Sequence, residues 1–482
     1  MSGFSTSESI SGGPSVLGND AAVRLRERVR EAVARARGTG SPVLLSVSAP
    51  AAGLADPSAV VVASRRPGEP WFCFEQPDRA GSAVAALGCV RALEASGPQR
   101  FAEVAAEWRR LGAGALSDAP AGPSGAGMIA VGGFAFAGRG ASSPSWVGFA
   151  PASLIVPEVS LARAEGETWI TLNASVGRDD VEDDVLERCR QRLDALRGSP
   201  LPLVDPAPAG RYEVSSQMPP AHFEEAVARA VQRIRAGELE KIVQAREVEV
   251  HAPVAHDPGA VLGLLRDVFP TSFVFAVGRG EATFLGATPE LLVRRQGERA
   301  TTVALAGSAR RSADPAVDDH LGEQLLRSDK DREENAIVAR RISRALRPHA
   351  VWVTAAPEPV VVSVANIKHL ARPIRAQLAR PLGAVELAAV LHPTPAVGAE
   401  PAAALKLIPA LEGLDRGWYA SPIGWTDVLG DGEFCVALRS ALLRGRVSRC
   451  YAGCGIVRDS DPAAELAESE LKLQVMVPAL AG

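Results

Sequence analysis

The sequence predicts an α+β fold, and three observations carry that prediction. Residues 241–250, KIVQAREVEV, alternate along their length and are rich in β-branched side chains, as strands are. Just before them, Phe223, Val227, Ala230, Val231 and Ile234 recur at a spacing near 3.6 and mark one face of a helix. Across all 482 residues, strand and helix signals are mixed without the regular βαβ rhythm of a doubly wound sheet.

Taken in order, residues 1–18 are rich in Ser and Gly and read as a disordered lead. Residues 19–205 form an amino-terminal α/β half. Its strand-like runs are Val43–Val47, Val60–Ala63 and Trp169–Leu172, set between Ala/Arg/Glu-rich helical stretches. The segment 128–136, MIAVGGFAF, reads as a buried strand with a glycine bulge or a close backbone approach. The Gly/Pro-rich passage 198–210 is the best candidate for a connector, leaving residues 206–482 as the region expected to carry the chemistry. There Pro220 opens the helix already described and Gly237 stops it. A later helix starts at Ser328, with Asp331 three residues on as a capping box. The last helix starts near Asp461, with Pro462 in its first turn. No repeat of fixed period is present.

Hydrophobic residues make up 47% and charged residues 22%, as in ordinary globular proteins, and the net charge of −4 offers no basic stripe for a nucleic acid. The beginning of the chain lacks the basic start and apolar core of a signal peptide, and no apolar run reaches the roughly 18 residues of a membrane span. The six cysteines show no CxxC pair or zinc-like spacing and read as reduced thiols. A cytoplasmic protein with no membrane and no nucleic-acid partner is expected.

On the last of these helices Glu465, Glu468 and Lys472 fall at i, i+3 and i+7, on one face. Locally that is an ordinary solvated ion-pair face, and Glu334, four residues after Lys330, has the same ordinary reading. Magnesium sites, however, use only one or two protein carboxylates, with water and substrate oxygens completing the shell. Two separated helical glutamates suffice if the fold joins them.

Ten segments in order give that condition weight: EKIVQAR (240–246), FLGATPELLVRR (284–295), ALAGSARR (304–311), LLRSDKDREEN (325–335), IKHLARPI (367–374), LHPTPAVGAEP (391–401), DRGWYASPIGWTD (415–427), EFCVALRSAL (433–442), YAGCGIV (451–457) and ELAESELK (465–472). The set closely resembles the chorismate-utilising family, which includes isochorismate, salicylate, anthranilate and aminodeoxychorismate synthases. The resemblance covers residues 220–476; the amino-terminal half matches loosely, mainly at GGFAF. It implies an anthranilate synthase-like fold, two large antiparallel β-sheets in a sandwich flanked by helices, with both halves combined around the site. It further implies that Glu334 and Glu468 bind Mg2+, with Glu465 helping through water, and that the ion holds the ring carboxylate of chorismate. Arg439 and Lys472, with backbone amides near Gly453 and Gly455, would hold the enolpyruvyl carboxylate. Gly307, Ser308, His369, Thr394, Ala396 and Tyr419 would contact substrate. Cys454, between two glycines, reads as a small packing residue.

Three positions point to a branch of the family. Lys241 stands where the isochorismate and salicylate synthases carry a lysine base, and anthranilate synthases a glutamine. Ala306 stands where aminodeoxychorismate synthases place a lysine nucleophile, and alanine cannot form that adduct. Ala396 stands where isochorismate synthases tend to have alanine and salicylate and anthranilate synthases threonine. The resemblance therefore implies an isochorismate synthase, an isomerase in which Lys241 activates the water that attacks C2 and Glu290 protonates the departing C4 hydroxyl. A salicylate synthase, which goes on to eliminate pyruvate, is the alternative; an aminating synthase and an inactive homologue are further ones. The product would feed menaquinone, siderophore or other synthesis. A monomer needing no protein partner is expected. Ser421, Ala399 and Asn335 depart from the family's usual glycine, glycine and histidine.

Overall fold

The computed structural model describes residues 16–51, 53–119, 121–205, 210–364 and 367–481. Among these residues the strands form two large sheets, one of 13 strands and one of 10. The larger runs in the order Glu213–Ser215, Lys241–His251, Val447–Ile456, Ser440–Arg444, Ala282–Thr288, Phe273–Arg279, Trp71–Gln76, Ser82–Leu87, Val159–Ala164, Glu167–Val176, Val43–Pro50 and Leu116–Ser117, with Ala399–Glu400 added on Lys241–His251. The smaller runs Ala350–Ala355, Ile367–Leu378, Arg299–Arg310, Leu291–Gln296, Gly432–Val436, Pro422–Asp427, Ile129–Phe134, Ala152–Val156 and Arg91–Ala95, with Val360–Val364 added on Ile367–Leu378. The large pairings are antiparallel, and the short Leu116–Ser117 lies parallel to Val43–Pro50. This is the α+β sandwich expected from the ordered segments.

One core lies between the sheets. Phe72, Phe74, Phe275 and Phe284 from the larger meet Val131, Phe134, Ile423 and Phe434 from the smaller, all buried. A second core lies on the other face of the larger sheet, where Leu45, Val47, Leu87 and Leu161 are covered by Leu25, Val29 and Val33 of the helix Gly18–Thr39. Strands buried on both faces read as apolar runs, not as alternation, which is why Phe273–Arg279 and Ala282–Thr288 carry little pattern.

The boundary drawn at 205/206 does not separate two bodies. Trp71–Gln76 pairs with Phe273–Arg279, and Ile129–Phe134 pairs with Pro422–Asp427, so each sheet is built by both halves. Of the expected connector, residues 206–209 lie outside the described residues, as do residues 1–15 of the expected lead. Leu17, within that lead, is buried, and Gly18 opens a helix.

The cap signals hold. Asp461 accepts from the Ala464 amide at 2.9 Å at the start of Pro462–Leu473, and Ser328 accepts from the Asp331 amide at 3.3 Å at the start of Asp329–Leu346. Two expectations need correction. Val60–Ala63 is not a strand but part of the helix Pro57–Ser64, where the Asp56 carboxylate accepts from the Ala59 amide at 3.1 Å and Pro57 opens the first turn. Local capping outweighs the β-branched run there. Nor is Pro462–Leu473 the last helix, since Val477–Ala481 follows it. In 129–134 the close approach is real: a Cβ on Gly132 would lie 2.1 Å from the Ser153 carbonyl oxygen. All six cysteines are free thiols. Among the described residues no helix is long and apolar enough to cross a membrane.

A fragment of residues 211–482 alone would leave Phe275 and Phe434 uncovered, and each lost large aromatic costs about 3–5 kcal/mol. It is expected to show no cooperative thermal transition by circular dichroism, where the whole chain shows one; a cooperative fragment would show that the carboxyl-terminal part folds without the amino-terminal strands.

Candidate active site

The strand Lys241–His251 pairs along its whole length with Val447–Ile456, setting Val243 opposite Gly455 and Ala245 opposite Gly453. The chain then turns at Asp461 into Pro462–Leu473, which carries Glu468 and Lys472 back over those glycines; Lys472 Nζ donates to the Gly453 carbonyl at 2.9 Å. From the smaller sheet, Arg299–Arg310 approaches with a bulge between Ala306 and Ser308, and Asp329–Leu346 lays Glu334 against it. Glu290, Gly307, Ser308, Glu334, His369, Ala396, Tyr419, Arg439, Gly453, Gly455, Glu468 and Lys472 all line the cavity so formed.

Its polar wall is a set of compensated charges. Lys241 is wholly buried, and its ammonium lies 2.8 Å from Glu334 Oε1. Glu334 Oε2 accepts from the Gly307 amide at 3.1 Å. Glu468 pairs with Lys472 at 2.7 Å and accepts from the Ser308 hydroxyl at 2.9 Å. Burial works to raise the Glu468 carboxyl, yet Lys472, Ser308 and Lys330 together hold it down to about 2. Glu465 is buried and pairs with Lys330 at 3.1 Å, and its carboxyl is pushed up by burial and then by Glu468. The glycines are needed for their size: a Cβ on Gly455 would lie 2.3 Å from Glu334 Oε1 and 2.8 Å from Lys241 Cε.

Glu290 behaves differently. It is 3% exposed, and burial lifts its carboxyl to about 8 against the pull of Lys241, Arg439 and Lys472. It is therefore a proton donor at neutral pH. His369 is also buried, and burial, then Arg439 and Lys472, push it down to about 3. As a neutral ring it donates from Nδ1 to the Gly307 carbonyl (3.2 Å), while Nε2 accepts from Arg439 Nη2 (2.9 Å), a tautomer assigned from those partners. Arg439 adopts a left-handed φ of +49° to reach it. Tyr419, pushed up to about 12 by burial, stacks on Tyr451, which stacks in turn on Trp146.

Three of the expected site residues do not line the cavity. Lys241 reaches it through Glu334. Glu465 stands behind Glu468. Thr394 serves the backbone, its carbonyl accepting from the amides of Val397 (3.1 Å) and Gly398 (2.8 Å). Ser421 fits where glycine is usual, its buried hydroxyl donating to the Tyr419 carbonyl at 3.2 Å, and Ala399 pairs with Ile242 in the short added strand. The supports were missed. Arg416, fully buried with Glu412, donates to the carbonyls of Val397 (2.7 Å) and Val243 (3.1 Å), and the Phe136 ring lies 4.3 Å from its guanidinium. The Asp415 carboxylate accepts from the amides of Ala141, Ser142 and Ser143, locking the amino-terminal half to the cavity rim. Only the run of charge in DRGWYAS signals them.

The carboxylates suit a hard cation. Oxygens of Glu465 and Glu468 lie within 4.8 Å of each other and of Cys454 Sγ, while Glu334 presently faces Lys241 and Gly307.

Residues 31–481 match the family described as Chorismate binding enzyme. The chain is 38% identical over 464 residues to the salicylate biosynthesis isochorismate synthase of Pseudomonas aeruginosa, covering 95% of this chain and 94% of that one. It is 33% identical over 390 residues to isochorismate synthase MenF of Bacillus subtilis, covering 80% and 82%. Among solved structures, the menaquinone-specific isochorismate synthase MenF of Escherichia coli superposes with a TM-score of 0.76 at 25% identity, covering 94% of this chain and 100% of that one.

Gly455→Ala is expected to displace Glu334 and Lys241 and to cost about 10²-fold in turnover, with the fold retained by circular dichroism. Glu290→Gln is expected to stabilise. An unfolded glutamate ionises near its ordinary 4.5, whereas this one keeps its proton to about 8, so its contribution to stability falls as pH rises through that window and stays unfavourable above it. Thermal midpoints of wild type and Glu290→Gln should agree near pH 4 and separate in favour of the variant toward pH 8.

Proposed function

The chain belongs to the chorismate-binding enzyme family, and from that premise we propose that it is an isochorismate synthase, an isomerase that moves a hydroxyl on the ring of chorismate. The observation that carries the reading is the conjunction of Glu290, a cavity-lining carboxylic acid still protonated at neutral pH, with Lys241, a fully buried amine that reaches the cavity through Glu334. Chemistry that adds water at C2 and expels hydroxide from C4 needs a group that takes a proton and a group that gives one. In its neutral amine form Lys241 takes the proton of the attacking water, becoming the ammonium that Glu334 pairs, and Glu290 gives its proton to the leaving oxygen. The double bonds shift between the two carbons, and the sum of atoms is unchanged.

Arg439, buried, and Lys472, half-buried, both cationic, face the carboxylate of the enolpyruvyl arm; His369, held neutral, fixes the Arg439 guanidinium. Glu334 and Glu468, with Glu465 alongside, would hold a magnesium ion, whose charge, when bound, orients and screens the ring carboxylate. Glu465 is raised by burial and then by the charge of Glu468, and a cation at this place would relieve both. Ala306, at the cavity wall, supplies no amine nucleophile, which supports a water-adding enzyme over an aminating one. The reading includes a cytoplasmic monomer that needs no protein partner.

Incubation with chorismate and Mg2+, followed by chromatography, is expected to yield isochorismate with no salicylate fluorescence. Salicylate formed without an added lyase would make the protein a salicylate synthase instead. Lys241→Ala should lower the rate by about 10²–10⁴-fold. It should also lower the thermal midpoint, because Glu334 loses its counter-charge. Near-wild-type turnover in that variant would remove Lys241 from the mechanism.

A further inference from the structure

We infer that Asn335 is a positioning residue for Glu334 and His369, acting through the backbone bulge between them; the inference rests on the reading of this cavity as the catalytic site. Asn335 follows Glu334 on the same helix, and its side chain is wholly buried between the helix and two strands of the smaller sheet. Its amide nitrogen donates to the carbonyls of Ala304 and Leu370, both at 3.0 Å, with Ala306 at 3.5 Å. Its amide oxygen accepts from Arg372 Nε at 3.2 Å, and Arg372 is held in turn by the carbonyl of Pro357 at 2.7 Å. With carbonyls at one end and an arginine N–H at the other, only one orientation of the amide satisfies every partner.

These partners lie beside the bulge, on its Ala306–Leu370 side. The register between Arg299–Arg310 and Ile367–Leu378 breaks between Ala306 and Ser308, where Gly307 takes a φ of +80°. A bulge disrupts the ladder locally, and carbonyls beside it must find donors elsewhere if they are buried. Asn335 supplies those donors on both strands. What the bulge exposes is used by the site: the Gly307 amide donates to Glu334, and the Gly307 carbonyl accepts from His369, which accepts from Arg439. One side chain outside the cavity thus sets the position of a carboxylate expected to meet the metal and of the arginine expected to meet substrate. It also accounts for asparagine where histidine is usual. A neutral imidazole carries one N–H, whereas this amide has two to share among the carbonyls and an oxygen left for Arg372.

The test compares wild type with Asn335→Ala. Removing a group that orients a metal ligand typically weakens metal binding about 10–100-fold, and that loss is expected in Mn2+ titrations followed by electron paramagnetic resonance. The nitrogen-15 shifts of the His369 ring are expected to move away from those of a fixed Nδ1–H tautomer. A variant with a lower thermal midpoint but unchanged Mn2+ affinity and unchanged His369 shifts would overturn the inference and leave Asn335 a packing residue. Should Asn335→Ala fail to fold, Arg372→Met frees the amide oxygen without unpairing the carbonyls. It should move the same two signals by a smaller amount, and unchanged signals there overturn the inference as well. A wild-type protein that fails to convert chorismate would instead defeat the functional reading. The His369 shifts would still report on Asn335.

Discussion

An ammonium with no exposure to water has to be compensated, and at Lys241 the compensation is Glu334, 2.8 Å away. Much of the cavity follows from that one pair. Lys241 opens a strand of the larger sheet, while Glu334 stands on a helix packed on the smaller, so the pair can form only where the two sheets close on each other. Residue 455 must then be glycine, because the pair occupies the space a Cβ would take. Breaking a buried pair by removing one member is strongly destabilising, of order 3–5 kcal/mol where the remaining charge stays dry. The stability of the fold and the layout of the site are thus coupled at a single contact.

Among the described residues the amino-terminal half contributes no side chain to the cavity lining, yet the lining depends on it. Tyr419 stacks on Tyr451 and Tyr451 on Trp146, and Trp146 fills the space beside Gly417, where a Cβ would come within 1.9 Å of the indole. Phe136 covers the Arg416 guanidinium, which itself ties together the backbones that carry Val243 and Val397. A sandwich in which both sheets are shared by both halves transmits such support directly.

The sequence was most informative where local physics decides the structure. The caps at Ser328 and Asp461 and the 3.6-residue face of Phe223 to Ile234 involve groups a few residues apart, and each stands as read. The segment 57–64 was misread because its β-branched run hid a cap supplied by Asp56. The candidate site was legible only through the ordered segments, because Lys241, Glu334 and Glu468 are ordinary charged residues until the strand pairing assembles them. Thr394 lies outside the cavity lining, and its carbonyl accepts from the amides of Val397 and Gly398. The bulge at Ala306–Ser308, the Arg416 hub and the Asn335 staple join residues tens to hundreds apart, and no spacing along the chain encodes them.

The division of labour among the carboxylates is set by surroundings, not by residue type. Glu468 and Glu290 line the same cavity, yet one is held down to about 2 and the other lifted to about 8. Glu468 has Lys472 at 2.7 Å and a hydroxyl from Ser308, so the charged form is favoured in spite of burial. At Glu290 the pull of Lys241, Arg439 and Lys472 on the carboxyl does not outweigh burial, so the protonated form is favoured. Two groups with the same intrinsic acidity are thereby separated into an anion that can hold a cation and an acid that can release a proton. Such a separation is what the proposed isomerisation would require, with negative charge stabilised at one end of a ring and a leaving oxygen protonated at the other.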